Sequence, residues 1–420
     1  MARPNMDSGL PSLAGADWLN RPETRAVFDA LLADGAEARA VGGAVRNALM
    51  DRPVKDVDIA TTALPEEVMR LAKKAGLHAI PTGLEHGTVT IAVKHMPVEV
   101  TTLRRDIETF GRHARVTFTT DWIEDARRRD FTMNALYCAP DGTVHDPLGG
   151  YGDLKARRVR FIGDARERIR EDYLRTLRFF RFNAEYAHGL SADAEGVAAT
   201  VAEKAGLAKL SGERIRAELL LLLAAPGSVS AIRTMRDAGL TEPLIGAPGD
   251  VEALERLVAI EHALGTAPDA ILRLAALMLA EMSPAQLQER LRLSAAETTK
   301  LAQAAVHDRA FDPATSEKEA RAFIYRHGAA AFTNGATLAW ARSGDGAGDV
   351  TRAERLGLPQ RWQAPELPVR GSDVLALGIP AGPAVGSMIA AFEAWWIARG
   401  YPDDPKQIAD KLKELVREMS

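Results

Sequence analysis

The sequence predicts an α+β protein in which a small mixed α/β domain precedes an all-helical remainder. Between about residues 25 and 163, short β-like runs alternate with helical runs. After about residue 165 the strand pattern ends, and Leu, Ala and Glu recur with the three-and-four spacing of helices. The length of 420 residues also exceeds the range of about 100–200 residues that is usual for one domain.

Within the first third, apolar patterning predicts the individual elements. The expected strands are 54–60, 88–93 and 97–103, with weaker patterns at 77–81 and 159–162. The expected helices are 44–50, 65–75 and 121–128. Pro65 is a start signal, because proline is favoured at the first helical position. The helical remainder is divided by Gly- or Pro-containing breaks near 225–228, 246–249, 264–268, 312–313 and 343–348.

The composition is that of an ordinary globular protein. Hydrophobic residues make up 46%, charged residues 26%, and the net charge is −4, which excludes disorder, collagen and coiled coil as descriptions of the whole chain. No run of 18 apolar residues occurs, so no membrane-spanning helix is expected. The N-terminus lacks the apolar core of a signal peptide, and the single Cys138 excludes an intrachain disulfide. We therefore expect a cytoplasmic protein without membrane association.

Arginine is concentrated in one segment. Residues 104–181 contain 16 Arg and one Lys against 13 acidic residues. Arginine suits planar, bidentate contacts with phosphates and bases better than lysine does. The segment therefore indicates phosphate or base binding, with a solvated charged face as the alternative.

The sharpest local pattern joins a Gly-Gly turn to a pair of carboxylates. Gly42 and Gly43 precede a predicted helix, whose N-terminal N–H groups attract anions, and Arg46 in its first turn adds a charged contact. Asp56 and Asp58 would share one face of a strand and repel each other unless a cation lies between them. A divalent metal bridged by nucleotide phosphates satisfies this requirement. An ordinary surface turn is the alternative.

A third carboxylate occurs on a later predicted strand. Glu99 alternates with Val98 and Val100, so it should face away from the core. If its strand neighbours that of the aspartate pair, Glu99 completes a three-carboxylate metal site. Otherwise it is an outward-facing Glu on a half-buried strand.

Two arginine-containing segments follow. The run 127–135, Arg-Arg-Arg-Asp-Phe-Thr-Met-Asn-Ala, has the donor density of a triphosphate site, or of a basic helix end. Four charged residues then recur at every third position: Asp172, Arg175, Arg178 and Arg181. On a helix they would form one stripe among apolar positions, and charges on a buried helix are costly without partners. The stripe should therefore face a polar ligand or a salt-bridge network.

Together these motifs resemble those of the class II tRNA nucleotidyltransferases, the CCA-adding enzymes, which are close relatives of the bacterial poly(A) polymerases. The resemblance rests on Gly-Gly-Ala-Val-Arg, Asp-x-Asp, Arg-Arg-Asp-Phe-Thr-Met-Asn-Ala and Glu-Asp-Tyr-Leu-Arg-Thr-Leu-Arg, in family order, and extends through residues 210–218. It implies a nucleotidyltransferase head with a mixed β-sheet, then a helical neck, body and tail. The implied domains are a lead at 1–24, a catalytic head at 25–164, a neck with base recognition at 165–225, a body at 226–345 and a tRNA-binding tail at 346–420.

The resemblance also implies roles for individual residues. Asp56 and Asp58 would hold Mg²⁺. The incoming nucleotide would be held by Gly42, Gly43 and Arg46, its triphosphate by Arg129, and its base by Asp172 and Arg175, with support from Arg178 and Arg181. Asn47 stands where many relatives have Asp, which argues against a charged role at that position.

An Asp and an Arg side by side could select C and A. Cytosine N4 and adenine N6 are donors that a carboxylate accepts, and the neighbouring ring nitrogens accept from Arg. Uracil and guanine present a carbonyl where the amine stood, so the carboxylate would meet an oxygen. The reaction that the resemblance implies is addition of C, C and A to the 3′ end of tRNA from CTP and ATP, without a template, by metal-assisted phosphoryl transfer that releases pyrophosphate.

Other functions of the same scaffold stay open. The polar segment 104–121 resembles that of full-length mitochondrial-type CCA enzymes and favours CCA addition over poly(A) synthesis, although it could be a plain surface loop. A-adding and CC-adding activities, a nucleotidyltransferase acting on another substrate and an idle RNA-binding protein are the alternatives. His262 and the pair His307-Asp308 match the residue types of a phosphohydrolase domain found in some relatives, but we assign them no activity. The expected partners are tRNA, CTP and ATP, with no stable protein partner.

Overall fold

The computed structural model describes residues 9–94, 96–110, 113–187, 189–307 and 316–419. They form two compact units, one of residues up to 251 together with 278–293 and the other of 252–277 together with residues from 294 onward. Every described strand lies in the first unit, and the described elements of the second unit are helices. The predicted α+β class, with a mixed sheet followed by helices, is confirmed.

The first unit contains a mixed sheet, a separate hairpin and the helices around them. Its strands are β1 (Ala38–Val41), β2 (Asp58–Thr61), β3 (His78–Gly83), β4 (Thr88–Val93), β5 (Met96–Thr102), β6 (Arg104–Phe110), β7 (His113–Phe118), β8 (Tyr137–Cys138) and β9 (Val144–His145). Its helices are α1 (Asp17–Asn20), α2 (Pro22–Leu32), α3 (Gly43–Leu49), α4 (Pro65–Lys74), α5 (Trp122–Arg127), α6 (Gly150–Lys155), α7 (Ala165–Glu171), α8 (Leu174–Tyr186), α9 (Ala194–Ala202), α10 (Gly212–Ala224), α11 (Ser228–Asp237), α12 (Glu242–Ile245) and, beyond the other unit's first segment, α15 (Pro284–Leu291). Single 3₁₀ turns occur at Leu84–His86, Thr132–Asn134 and Lys204–Lys209.

The sheet has seven strands in the order β3-β4-β5-β2-β1-β8-β9. Only the β2–β5 pair is parallel, and it aligns Asp58 with Glu99. The other neighbouring pairs are antiparallel. Because β2 and β5 are adjacent and in register, Asp58 at the start of β2 and Glu99 in the middle of β5 come together on one face of the sheet.

Local sequence explains the best-predicted elements. The helix expected at 65–75 is α4, which has Pro65 in its first turn, Glu66 and Glu67 beside it, and two lysines in its last turn, all favourable for the helix dipole. Strand β4 has the bounds predicted from alternation. The helices expected at 44–50 and 121–128 appear as α3 and α5.

Three predictions of local structure were wrong or incomplete. The strand expected at 54–60 begins only at Asp58, because β1 is four residues long and its last residue, Val41, pairs with Asp58. Asp56 therefore precedes the strand and is not part of it. The strand expected at 159–162 is a single bridge between Phe131 and Phe161. Four further features were not predicted from the sequence: β1, β8, β9 and the β6–β7 hairpin, which lies within the polar segment 104–121.

An aromatic cluster packs the helical part of the first unit against the part that contains the sheet. Phe131 lies 5.0 Å from Phe161 and 5.0 Å from Phe182, and Phe161 stacks on Phe179 at 5.3 Å, as measured between ring centroids. Phe131, Phe179 and Phe182 are buried. Such pairs stabilise a core beyond their area burial, so the cluster fixes α8 against the segment that follows α5.

The second unit is helical. Its helices are α13 (Val251–Leu264, which starts at the boundary), α14 (Ala270–Leu277), α16 (Ala295–His307), α17 (Glu317–His327), α18 (Ala329–Ser343), α19 (Val350–Leu356), α20 (Leu358–Arg361), α21 (Gly371–Ala376), α22 (Pro383–Ala398) and α23 (Pro405–Met419). A buried ion pair joins Glu261 of α13 to Arg273 of α14, with Nη2 2.6 Å from the carboxylate. In the last part of this unit, Met388, Phe392 and Trp396 of α22 lie in an apolar core.

The helix breaks expected near 225–228, 246–249, 264–268 and 343–348 fall between consecutive helices. The expected break at 312–313 and Asp308 lie outside the described residues. Among the helices that the structure describes, none has the length and apolar character needed to cross a bilayer.

Candidate active site

The Gly-Gly turn connects β1 to α3. Gly42 has φ +70° and ψ −121°, a conformation that side-chain-bearing residues rarely adopt. A Cβ atom at Gly42 would lie 3.7 Å from Nη1 of Arg129, and one at Gly43 would lie 3.7 Å from Nη2 of Arg46. The turn thus brings the backbone close to two guanidinium groups.

The three predicted carboxylates gather at the start of β2. Asp58 and Glu99 are paired residues of adjacent parallel strands, and Asp56 precedes Asp58 by two residues. All three are exposed, whereas Val57, Ile59, Val98 and Val100 are buried. The expected outward orientation of Glu99 and the expected neighbourhood of its strand are therefore both observed.

Electrostatics link these carboxylates to one another. Partial desolvation in the cleft raises the pKa of Asp58, and the negative charges of Glu99 and Asp56 raise it further, while Arg129 lowers it. Among the residues described, no three acidic, His or Cys side chains converge closely enough to enclose a metal ion. The three-carboxylate metal site expected with Glu99 is therefore not formed by these residues, and the cleft offers hard oxygen donors without a closed protein cage.

Arg46 is held rigidly beside this cleft. It is only 7% exposed, and its guanidinium donates to Oδ1 of Asn134 at 2.5 Å and to the Tyr186 hydroxyl at 2.6 Å. Oδ1 of Asn47 accepts from Nε at 3.2 Å and from Nη2 at 3.0 Å. Burial lowers the pKa of Arg46. Asn47 thus serves as a neutral acceptor that orients Arg46, which agrees with the absence of a charged role at this position.

Arg129 is oriented by buried groups behind it. Its Nη2 lies 3.1 Å from Oδ2 of Asp125, which also accepts from the Tyr137 hydroxyl at 2.8 Å. Burial opposes ionisation of Asp125, but the charges of Arg129 and Arg128 outweigh it and lower the pKa of Asp125 to about 2. Arg129 is therefore fixed by a permanently charged partner.

The arginines of α8 face a network of carboxylates. Arg178 donates from Nη2 to Oδ2 of Asp130 at 2.6 Å and from Nη1 to Glu218 at 3.3 Å. Arg181 donates to the other oxygen of Glu218 at 2.5 Å. The salt-bridge network that the stripe pattern allowed is thus present, and two of its carboxylates are buried.

The stripe pattern predicted that Asp172 lies on the same helix as the three arginines, and this prediction was wrong. Asp172 lies in the junction between α7 and α8. Its φ of −152° and ψ of 106° are extended, and Oδ1 accepts from the backbone N–H of Leu174 at 3.1 Å. Oδ2 accepts from Arg214 of α10 at 2.7 Å. Arg175, in the first turn of α8, donates to the carboxylate of Glu171.

Most predicted residues line one cavity of about 440 Å³. They are Gly42, Gly43, Arg46, Asp58, Arg129, Asp172, Arg175 and Arg178. An adjoining cavity of about 520 Å³ shares Gly43, Arg46 and Asp58 and adds Asp56. Glu99 and Arg181 line neither of these two cavities.

The cavity wall also contains residues that were not predicted as site residues: Asp130, Asn134, Phe182 and Arg214. Asp130 and Asn134 lie within the quoted motif that includes Arg129, and their four-residue spacing, which lets Nδ2 of Asn134 donate to Asp130 at 2.8 Å, was the available signal. Arg214 lies within the quoted stretch 210–218, but its approach to Asp172 depends on how α10 packs.

Comparisons with known proteins identify relatives of this chain. A family model described as the poly A polymerase head domain matches residues 38–160, and one described as the probable RNA and SrmB-binding site of polymerase A matches residues 193–249. Human CCA tRNA nucleotidyltransferase 1, mitochondrial, is 33% identical over 411 residues, which is 94% of this chain and 93% of the relative. The CCA-adding enzyme of Lactobacillus gasseri is 34% identical over 361 residues, or 84% and 87% of the two chains. The crystal structure of the Bacillus stearothermophilus CCA-adding enzyme in complex with CTP superposes with a TM-score of 0.78 at 30% identity, covering 94% of this chain and 98% of that one.

Proposed function

The chain belongs to the family of CCA-adding tRNA nucleotidyltransferases and poly(A) polymerases, and from this we propose that it is a CCA tRNA nucleotidyltransferase. It adds C, C and A to the 3′ end of tRNA from CTP and ATP, without a nucleic-acid template. The observation that carries the proposal is a single cavity with three kinds of group in its wall. They are the β2 carboxylate of Asp58, the guanidinium groups of Arg46 and Arg129, and the side chains of Asp172 and Arg175. Phosphate-binding and base-reading groups thus share one binding site.

Asp172 and Arg175 read the base. Oδ1 and Oδ2 of Asp172 each accept one hydrogen bond from the protein. A carboxylate has about four acceptor positions, so Asp172 can still accept the amine of cytosine or adenine. Each correct bidentate contact is worth roughly 1–3 kcal/mol of discrimination. Uracil and guanine would place a carbonyl oxygen against this carboxylate, and they are therefore rejected.

Mg²⁺ fits the donor chemistry of the carboxylates. Magnesium is usually held by one or two carboxylates together with substrate phosphates and water. Asp56 and Asp58 supply hard oxygens, and a cation would offset both the desolvation and the repulsion from Glu99 and Asp56 that raise the pKa of Asp58. Asp56 and Asp58 would hold the metal, with Glu99 as the neighbouring catalytic carboxylate. When bound, the metal neutralises the charge that develops on phosphate oxygens.

The remaining residues bind and orient the substrates. Gly42 and Gly43 let the triphosphate approach the backbone, Arg46 and Arg129 pair with its oxygens, and Arg178 and Arg181 stiffen the wall of the pocket. The 3′-hydroxyl of the RNA releases its proton to water, and its oxygen forms a bond to the α-phosphorus as the bond to pyrophosphate breaks. Catalysis then rests on positioning and charge stabilisation, as is general for phosphoryl transfer.

Poly(A) polymerase is the second candidate, favoured by the description of the family model that matches residues 38–160. A-adding and CC-adding activities are variants of the main proposal. The division into lead, head, neck, body and tail belongs to this proposal, with tRNA bound by the helical regions. We also propose the cytoplasm as its compartment. The human relative carries "mitochondrial" in its name and the Lactobacillus relative does not, so cell fractionation is the direct check.

A single incubation tests the reaction. The protein is mixed with Mg²⁺, CTP, ATP and a tRNA transcript that lacks its last three nucleotides, and the 3′ ends are sequenced. Products ending in C-C-A are expected from the wild type and from the control Glu66→Gln, whose carboxylate is exposed on α4, but not from Asp58→Asn.

The other outcomes select among the alternatives. Products ending in C-C, or A added only to a C-C end, would indicate divided labour with another enzyme. A long A tract on unrelated RNA would make the protein a poly(A) polymerase. No incorporation of any nucleotide would overturn the enzymatic proposal and leave an RNA-binding protein.

A further inference from the structure

Arg168 occupies an unusual position behind the nucleotide cavity. It lies on α7, is only 8% exposed, and does not belong to the cavity wall that holds Arg129 and Arg175. Its Nη2 donates to the backbone carbonyl of Arg128 at 2.5 Å and to that of Arg129 at 2.7 Å. A buried guanidinium that bonds two successive carbonyls fixes the path of the chain at those residues.

The other end of the same guanidinium points toward the base-reading residues. Nη1 of Arg168 donates to a carboxylate oxygen of Glu171, and Nη1 of Arg175 donates to the same oxygen. Nη1 of Arg175 also donates to the backbone carbonyl of Arg168 at 2.8 Å. Glu171 and Arg168 thus hold Arg175 through two different acceptors.

We propose that Arg168 is a positioning residue that sets the spacing between the triphosphate-binding segment around Arg129 and the base-reading Arg175. The inference rests on the proposed function, because it assigns those two residues to the two ends of one nucleotide. Arg168 touches neither end of the nucleotide itself. It acts through the backbone on one side and through Glu171 on the other.

The geometry requires an arginine at this position. Arginine presents donors in a rigid planar fork, whereas a lysine ammonium is a single compact charge on a flexible stem. One nitrogen of Arg168 serves the two carbonyls while a second serves Glu171. A lysine would keep the positive charge beside Glu171 but could not make both connections in the same arrangement.

Nucleotide binding by matched variants tests the proposal. Arg168→Gln and Arg168→Lys are compared with Arg170→Gln, which removes an exposed arginine of the same helix that pairs with Glu203. Dissociation constants for CTP and UTP are measured in the presence of Mg²⁺, below the unfolding temperature of each variant.

We expect both Arg168 variants to bind CTP about 10- to 100-fold more weakly, which is the usual loss of affinity when a residue that orients a ligand-contacting group is removed. The preference for CTP over UTP should shrink, and lysine should not rescue it. Arg170→Gln should match the wild type. If Arg168→Gln only lowers the unfolding temperature and keeps the CTP affinity and the CTP-to-UTP ratio of Arg170→Gln, the inference is wrong.

A double-mutant cycle with Arg175→Gln adds a second test. If Arg168 acts through Arg175, its effect on the CTP-to-UTP ratio disappears in the Arg175→Gln background, and an additive effect contradicts the proposal. Binding also separates the two proposals. If the wild type binds CTP but adds no nucleotide, the proposed function is wrong, and the Arg168 variants compared with Arg170→Gln still test the role of Arg168. If the wild type binds neither CTP nor UTP, both the proposed function and the role of Arg168 are wrong.

Discussion

Replacement of Asp130 by asparagine should destabilise the first unit in a pH-dependent way. Asp130 is 9% exposed. Oδ1 accepts from the N–H of Phe131 and from Asn134, and Oδ2 accepts from Nε and Nη2 of Arg178 at 2.9 and 2.6 Å. Burial works against the ionised form, but Arg178 and these hydrogen bonds lower the pKa of Asp130 from 3.8 to about 2. The carboxylate is therefore bound more tightly as an anion in the folded state than in the unfolded state.

The size of the effect follows from that difference in pKa. Each pH unit between the folded and unfolded values is worth about 1.4 kcal/mol, so ionised Asp130 contributes about 2 kcal/mol to folding at pH 7. Because the folded pKa is the lower one, this contribution is complete above the unfolded value of 3.8 and is lost as the pH falls toward about 2. At pH 3 about half of it should remain.

Urea unfolding at pH 7 and pH 3 measures this directly, with hydrogen exchange of α8 reporting on the first unit. Asp130→Asn should lose about 2 kcal/mol relative to wild type at pH 7 and about half as much at pH 3. Asp237→Asn is the matched control, since its carboxylate is 63% exposed, and it should change stability by no more than about 0.5 kcal/mol. Equal unfolding midpoints for the two variants at pH 7, or a difference that does not change with pH, would refute the reasoning.

Three further variants test other parts of the structure. Gly42→Ala forces a side chain into a φ of +70° with a ψ of −121°, which should cost about 1–3 kcal/mol and lower the melting temperature measured by calorimetry; an unchanged melting temperature would contradict the strain. Tyr186→Phe removes the hydroxyl that accepts from Arg46 at 2.6 Å, and steady-state kinetics should show a higher KM for CTP with little change in kcat; the reverse pattern would mean that Arg46 acts only in the transition state. Glu261→Gln breaks the buried pair with Arg273 and should destabilise the second unit by about 3–5 kcal/mol, seen as faster hydrogen exchange in α13 and α14; unaltered exchange would contradict this cost.

Some of this site could be predicted because it depends on local periodicity. Alternation of polar and apolar residues in β5 indicates that Glu99 faces away from the core, and the structure has Val98 and Val100 buried on either side of it. The same alternation is seen around Asp58, where Val57 and Ile59 are buried on either side of it. These inferences need only the two-residue period of a strand.

Other features depend on where the chain ends its pairing. The pattern around Asp56 is that of a strand, yet β1 is four residues long and leaves the residues before Asp58 without a pairing partner in β1. Likewise, Asp172 reads as part of a helix, but the chain between α7 and α8 is extended at this residue. Periodicity describes which way side chains point in an element and does not tell where tertiary pairing stops.

The most distant contacts could not be predicted at all. Asp172 pairs with Arg214, which is 42 residues further along the chain, and Arg46 bonds Tyr186, which is 140 residues away. Both pairs depend on the packing of α8, which the Phe131 cluster holds in place. A single sequence contains the residue types for these contacts but no sign of their partners.

The parallel pairing of β2 with β5 has a consequence for how such a site tolerates change in chain length. Asp58 and Glu99 are neighbours because of strand register, and the chain between them passes through α4, β3 and β4. An insertion in one of the turns of that connection leaves the register intact. A single residue inserted into β2 would exchange Asp58 for an apolar neighbour, because side chains reverse direction at each position. The geometry of the site is therefore set by the register between β2 and β5. In other chains its carboxylates should be sought by strand register and not by their separation along the sequence.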